Sequence, residues 1–198
     1  EYLSIRCGMQ EIFSYPWMEE SYVNAILQST DGILALSTPP SPSERFIRSS
    51  LLPNLCKAVA KNERYYGDFA IFETAQVFHD TDYTTPYDPR EKLPSQRKNV
   101  AGAFVSAGKD VAALFRKAKG VVEMMARYVH MEALAFKQTE KPVWADNVVW
   151  LNIYRGDEKV GDLALLAKKV SMACGIKNMN VMPVSYTHLR AHETLSDL

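Results

Sequence analysis

The sequence predicts an α+β fold: a mostly antiparallel sheet flanked by helices. Three observations point there. Strand-like and helix-like segments do not alternate in the regular rhythm of a parallel βαβ sheet. Residues 148–155 and 160–167 read as two strands joined across Gly156-Asp157-Glu158-Lys159, a hairpin signal. The 198 residues are 47% apolar, with ten Tyr and eight Phe, enough to bury a core for about one domain.

The elements follow in order. Residues 1–8 read as the last turns of a helix stopped by Gly8, and so short a helix points to a piece of a longer chain. Residues 10–15 alternate as a strand and close on Pro16. Residues 18–27 are helical, with Tyr22, Val23, Ile26 and Leu27 at helical spacing. Asp31-Gly32 is a turn, and residues 33–36 form a short buried strand. The run TPPSPS, residues 38–43, is a loop, because each Pro removes a donor and restricts its predecessor.

A helix then starts at Ser49 or Ser50, whose hydroxyls suit a cap, with Pro53 in its first turn. Leu51, Leu52, Leu55, Cys56 and Val59 make its apolar face, and Asn62, Glu63 and Arg64 end it. Residues 69–78 form a β-rich strand with one acidic residue, Glu73, at its centre. Residues 79–97 are polar and proline-punctuated, an exposed loop. Residues 99–107 are a strand. Residues 111–130 are a long helix whose apolar face holds Leu114, Phe115, Val121, Val122 and Met125. Residues 133–137 form a strand before the hairpin. Residues 169–174 form a short helix ended by Gly175, and residues 179–182 begin another strand.

Composition excludes several classes. Lys and Arg balance Asp and Glu at 23 each, so no overall charge announces nucleic acid. Cys7, Cys56 and Cys174 are far apart and form no CxxC pair. They suit buried thiols in a reducing, cytoplasmic setting rather than a disulfide scaffold or zinc knuckle. No apolar run approaches the roughly 20 residues that span a bilayer.

Residues 184–198, VSYTHLRAHETLSDL, resemble the in-frame translation of a transposase sequencing adapter. They are expected to be a non-native tail on a core domain of residues 1–183. His188 and His192 stand four apart, as two metal ligands on one helix face would. They are assigned no function.

The order of the remaining motifs is distinctive. It runs Gly8-Met9-Gln10-Glu11-Ile12, a strand ending Ser14-Tyr15, then Arg48-Ser49-Ser50-Leu51-Leu52-Pro53. Asn62 and Arg64 follow, then Phe72-Glu73-Thr74-Ala75-Gln76-Val77-Phe78. This resembles the synthetase-like core of the beta subunit of bacterial phenylalanyl-tRNA synthetase, a class II aminoacyl-tRNA synthetase core. Lys119-Gly120-Val121-Val122-Glu123 resembles a later helix of that family. Two departures stand out: Ala75 replaces a usual Gly, and Trp144-Ala145-Asp146-Asn147 stands where the family has His-Pro-Gly.

The resemblance implies a heterotetrameric ligase that joins phenylalanine to its tRNA using ATP and Mg²⁺. Its active site lies in the alpha subunit. The beta core is non-catalytic and supports assembly, with no cofactor of its own. Class II cores associate through their first motif, so Gln10, Glu11, Ile12 and Phe13 are the expected interface. Arg48, Asn62, Arg64 and Glu73 are the expected structural motif. The partners are the alpha subunit and, through the whole enzyme, tRNA; no membrane is involved. A second reading is a diverged stand-alone paralogue acting as a binding or regulatory module.

The residues agree independently with a core lacking the chemistry. Class II adenylation needs an arginine on the second-motif strand and another in a glycine-rich third motif, to stabilise charge on the phosphates. Residues 69–78 contain no arginine, and no GxGxxR element occurs. Other constellations read as structural. Glu73 suits a buried pair with Arg48 or Arg64 better than a catalytic role. His79, Asp80 and Asp82 suit solvation better than a metal. Arg45, Arg48, Lys57, Lys61 and Arg64, with Tyr65 and Tyr66, can form an RNA face, though a solvated helix flank explains them as well. Cys56, Trp144 and Trp150 read as core or interface.

Overall fold

The computed structural model describes residues 1–80 and 94–187. A π-helical turn (Tyr2–Arg6) leads into β1 (Gln10–Glu11), β2 (Trp17–Met18), α1 (Glu20–Ile26) and β3 (Phe46–Ile47). Then come α2 (Leu52–Asn62), β4 (Asp68–His79), β5 (Ser95–Ser106) and α3 (Val111–Tyr128). The chain continues through β6 (Leu134–Lys137), β7 (Ala145–Arg155), β8 (Glu158–Leu166), α4 (Lys168–Ala173) and β9 (Asn180–Tyr186).

Seven strands form one sheet in the order β1-β4-β5-β9-β8-β7-β6, while β2 and β3 make a separate ribbon. Among the described residues only β1 runs parallel to its neighbour, β4; the other pairs are antiparallel. The predicted α+β class is the observed one.

Period-two alternation splits the core between the two faces of the sheet. Ile71, Val77, Ala101, Ala103 and Val105 meet Leu51, Leu55 and Val59 of α2 and Val170 of α4 on one face. Phe72, Phe104, Met182 and Val184 meet Leu114, Ala118, Val122 and Met125 of α3 on the other. The apolar stripe predicted on α2 is buried throughout: Leu51, Leu52, Leu55, Cys56 and Val59. Ser50 Oγ accepts the Leu52 N–H at 3.3 Å, satisfying an orphan donor at the helix start.

Five expectations shift. The strand expected over residues 10–15 pairs only at Gln10 and Glu11. Residues 33–36 form no buried strand; Ala35 makes a single bridge to Phe46 and is exposed. Met18, expected in a helix, is instead buried in the β2–β3 ribbon, and α1 begins at Glu20. The loop expected over residues 79–97 loses both ends to strands, since His79 pairs with Ser95. The last strand runs past residue 182 to Tyr186, with Val184 and Tyr186 buried. Backbone pairing is indifferent to a segment's origin, and apolar alternation alone satisfies this register. His188 and His192 lie outside the described residues, as does Asp82. Among the described residues no helix is long and apolar enough to cross a membrane.

Candidate functional site

The polar residues in the α2-facing core converge on Glu73. Alternation along β4 aims Glu73 at α2, and its side chain is 2% exposed. A buried carboxylate must find compensating donors. Glu73 Oε1 accepts the Ser14 N–H at 2.9 Å and Arg48 Nη1 at 3.1 Å. The Ser14 hydroxyl lies 2.9 and 2.8 Å from the two carboxylate oxygens and donates to them. Arg48 also donates from Nε to the Gln76 carbonyl at 2.6 Å. Asn54 donates to Ser14 Oγ and to the Tyr15 carbonyl, both at 3.0 Å.

Together these bonds tie three elements: the segment after β1, the start of α2 and the middle of β4. Arg48 backbone groups add two more ties, accepting from the Phe78 N–H at 2.9 Å and donating to the Pro16 carbonyl at 2.8 Å. The Ile12 N–H makes the last ladder bond, to the Phe72 carbonyl at 2.9 Å, and the Ser14 N–H turns to a side chain instead of β4 backbone. This explains the short β1.

The outer side of the same segment faces solvent. Phe13 is 85% exposed and Tyr15 71%, and Tyr15 stacks on Trp17 at 4.6 Å. β1 is an edge strand, so its outer backbone groups are unpaired within the sheet. A cleft of about 250 Å³ runs alongside, lined by Ile12, Phe13, Ser14, Trp17, Lys57 and Lys61 among others. Lys57 bonds Glu44 at 2.8 Å and Glu19 at 3.1 Å. Burial works against the charge on Glu19, but the bonds from Lys57 and Ser21 outweigh it and hold its carboxyl below the ordinary range.

Of the expected motif residues, the structure brings Arg48 and Glu73 into contact. Asn62 instead ends α2, its amide donating to the Ala58 carbonyl at 2.8 Å. Arg64 does not pair with Glu73; its guanidinium lies 4.6 Å over the exposed Tyr65 ring. Of the expected interface residues, Gln10, Glu11 and Phe13 are exposed and Ile12 is half-buried. Sequence reasoning missed Ser14 and Asn54. Asn54 carried a usable signal: it is a polar residue among the apolar ones that open α2.

Other candidates resolve plainly. Arg45 pairs with Glu20 at 3.1 Å, and Lys57 is engaged as described. Cys56 is buried, and its thiol is pushed well up by a hydrogen bond with Cys174 and by burial. Trp144 is buried in the core and Trp150 is half-buried against it. His79 is held below its usual range by burial and by Arg97. Among the described residues no group of three or more His, Cys, Asp or Glu can hold a metal.

An antiparallel sheet carrying one parallel edge strand, with helices on both faces, is the fold of class II aminoacyl-tRNA synthetases. Pyrrolysyl-tRNA synthetase from Desulfitobacterium hafniense shares it with a TM-score of 0.70 at 11% identity, over 92% of this chain and 61% of that one. The chain belongs to the phenylalanyl tRNA synthetase beta chain CLM domain family, which matches residues 2–185. Among its relatives, the phenylalanine–tRNA ligase beta subunit of Idiomarina loihiensis is 29% identical over 85% of this chain and 21% of its own length. That of Listeria monocytogenes serotype 4b is 24% identical over 92% of this chain and 23% of its own. The chain thus spans less than a quarter of these relatives.

Proposed function

We propose that this core is a non-catalytic part of a phenylalanine–tRNA ligase beta subunit and that it supports assembly with the alpha subunit. ATP and Mg²⁺ serve the whole cytoplasmic enzyme in its alpha subunit, and tRNA engages the assembled heterotetramer. The observation that carries the reading is the edge at Gln10, Glu11, Ile12 and Phe13. A large aromatic side chain stands 85% exposed on a segment locked from behind by a buried polar cluster. Such a rigid, aromatic, solvent-facing anchor is what association surfaces use, because little order is lost on docking.

The polar cluster supports the non-catalytic half of the reading. Arg48 reaches β4, but its guanidinium is buried and bonded to Glu73 and to the Gln76 carbonyl, which takes it away from any phosphate.

The test is co-purification with the matching alpha subunit. Phe13→Ala with Tyr15→Ala should abolish association and leave the melting temperature unchanged. ATP–pyrophosphate exchange by the chain alone, or association that survives both substitutions, would refute the reading. A folded chain that binds no alpha subunit would favour the stand-alone paralogue.

A further inference from the structure

At the end of the sheet where β4 begins, the fold gathers basic and aromatic side chains that are scattered in sequence. The turn after α2 presents Arg64, Tyr65 and Tyr66. The Ala107 N–H donates to the Gly67 carbonyl at 2.8 Å, which brings the turn holding Lys109 beside them. The Lys177 N–H donates to Glu63 at 3.1 Å, which brings the segment after α4 to the same place. Lys168 Nζ donates to the Lys177 carbonyl at 3.2 Å, and Asn180 donates to the Gly108 carbonyl at 2.9 Å. Lys61 lies one turn back on α2 and is exposed.

Five cations therefore surround this end: Lys61, Arg64, Lys109, Lys168 and Lys177. Among the described residues three carboxylates share it, and a fourth, Glu19, bonded to Lys57, lies within electrostatic reach of Lys61. Glu63 is occupied by the Lys177 N–H, Asp110 caps α3 through the Ala113 N–H at 2.8 Å, and Asp68 is exposed. The balance is positive, on a chain whose overall charge is zero.

The aromatics make the surface more than a charge patch. Tyr65 is 63% exposed and Tyr66 53%. Their rings meet edge to face at 6.4 Å, and Tyr66 leans on Phe69 at 6.1 Å. Arg64 covers Tyr65 at 4.6 Å. Exposed rings fixed by one another, with a guanidinium on one face and lysines around, match what unpaired bases on a charged backbone require. An acidic protein would need the cations but not the rings.

We infer that this end of the core, centred on Arg64, Tyr65 and Tyr66, binds a single-stranded RNA segment by stacking its bases on the tyrosines. The choice of RNA over DNA rests on the reading above. The surface itself does not, because binding is read on the full chain alone, without the alpha subunit.

The experiment is fluorescence anisotropy of a labelled oligouridylate about ten nucleotides long, at salt from about 50 mM upward. Binding should weaken with salt at a log–log slope near −3.5, from five contacts at about 0.7 each for single strands. Tyr65→Ala with Tyr66→Ala should weaken binding about 30-fold or more, while Tyr65→Phe with Tyr66→Phe retains it. Lys61→Gln, Lys109→Gln and Lys177→Gln together should reduce the slope by about 2. Melting curves identify any variant that fails to fold, and for such a variant the phenylalanine pair decides: loss of binding in a folded phenylalanine pair overturns the stacking. No binding at low salt overturns the inference. So does equal binding to polyglutamate that ignores the tyrosines, which would assign the patch to an acidic protein. A preference for oligodeoxythymidylate would overturn the choice of RNA.

Discussion

Replacing Glu73 by Gln keeps the shape of the buried cluster and removes its charge. Arg48, whose side chain is 10% exposed, then keeps a buried positive charge without its partner. Glu73 now receives the Ser14 N–H, the Ser14 hydroxyl and Arg48. A single amide oxygen can serve at most two of these, and the new NH₂ group confronts the guanidinium. Breaking one side of a buried ion pair costs about 3–5 kcal/mol. The amide retains some bonds, so the low end, about 3 kcal/mol, is expected. For a chain of this size each kcal/mol moves the melting temperature by about 2–4 °C, which gives a fall of about 6–12 °C. Circular dichroism melts measure it. Hydrogen exchange at the Ser14 amide should accelerate ahead of the amides in β5, because the β1 segment detaches first. Arg48→Met combined with Glu73→Leu should recover most of the loss, since an apolar pair removes the stranded charge. A fall below about 2 °C, or a double variant less stable than the sum of the singles, would refute the view that this pair holds the edge.

Three further outcomes are expected. Cys56, whose thiol is pushed well up by its bond with Cys174 and by burial, should resist Ellman's reagent in the native chain and react after denaturation. Glu19 has a folded pKa below its ordinary value, so it adds stability that is present above about pH 4.5 and lost as pH falls through the folded value; Glu19→Gln should flatten that acid limb in melts taken across pH. At Gly161, which pairs with Tyr186, an added Cβ would overlap the Ser185 carbonyl, so Gly161→Ala should cost about 1–3 kcal/mol or expel the end of β9, read by chemical denaturation.

The long elements were legible because period and punctuation agreed. In α2, Pro53 opens and Asn62 closes a stripe that is buried in full. In β4 the run from Phe69 to Phe78 has one acidic residue, Glu73, which breaks the apolar pattern of Ile71, Ala75 and Val77 on its own face, and that break is the site. The hairpin turn was legible from Gly156, which adopts φ +58°. What stayed hidden depends on contacts between distant segments. Ser14 bonds Glu73 across 59 positions, and Asn54 bonds Ser14 across 40. No local periodicity encodes such partners. Residues 10–15 alternate as a strand should, but a carboxylate took the donor that the ladder needed. Alternation predicts which side chains share a face, not which backbone groups find a strand.

The placement of the polar cluster says what it is for. A charged pair buried in a core is weak evidence of stability, because apolar residues of the same volume hold as well or better. What the pair supplies is direction. Glu73 holds the Ser14 N–H and hydroxyl while Asn54, in the same cluster, holds the Tyr15 and Trp17 carbonyls, so the backbone from Ser14 to Trp17 is fixed at defined points. Apolar packing alone would let this short edge segment slide against β4, since two ladder pairs hold it. A slide of one residue would turn Phe13 inward and Ser14 outward. The cluster therefore sets which side chain faces solvent at the free edge. On this argument Arg48→Met with Glu73→Leu restores the melting temperature without restoring association with the alpha subunit. Full recovery of both by the apolar pair would show that packing alone sets the register.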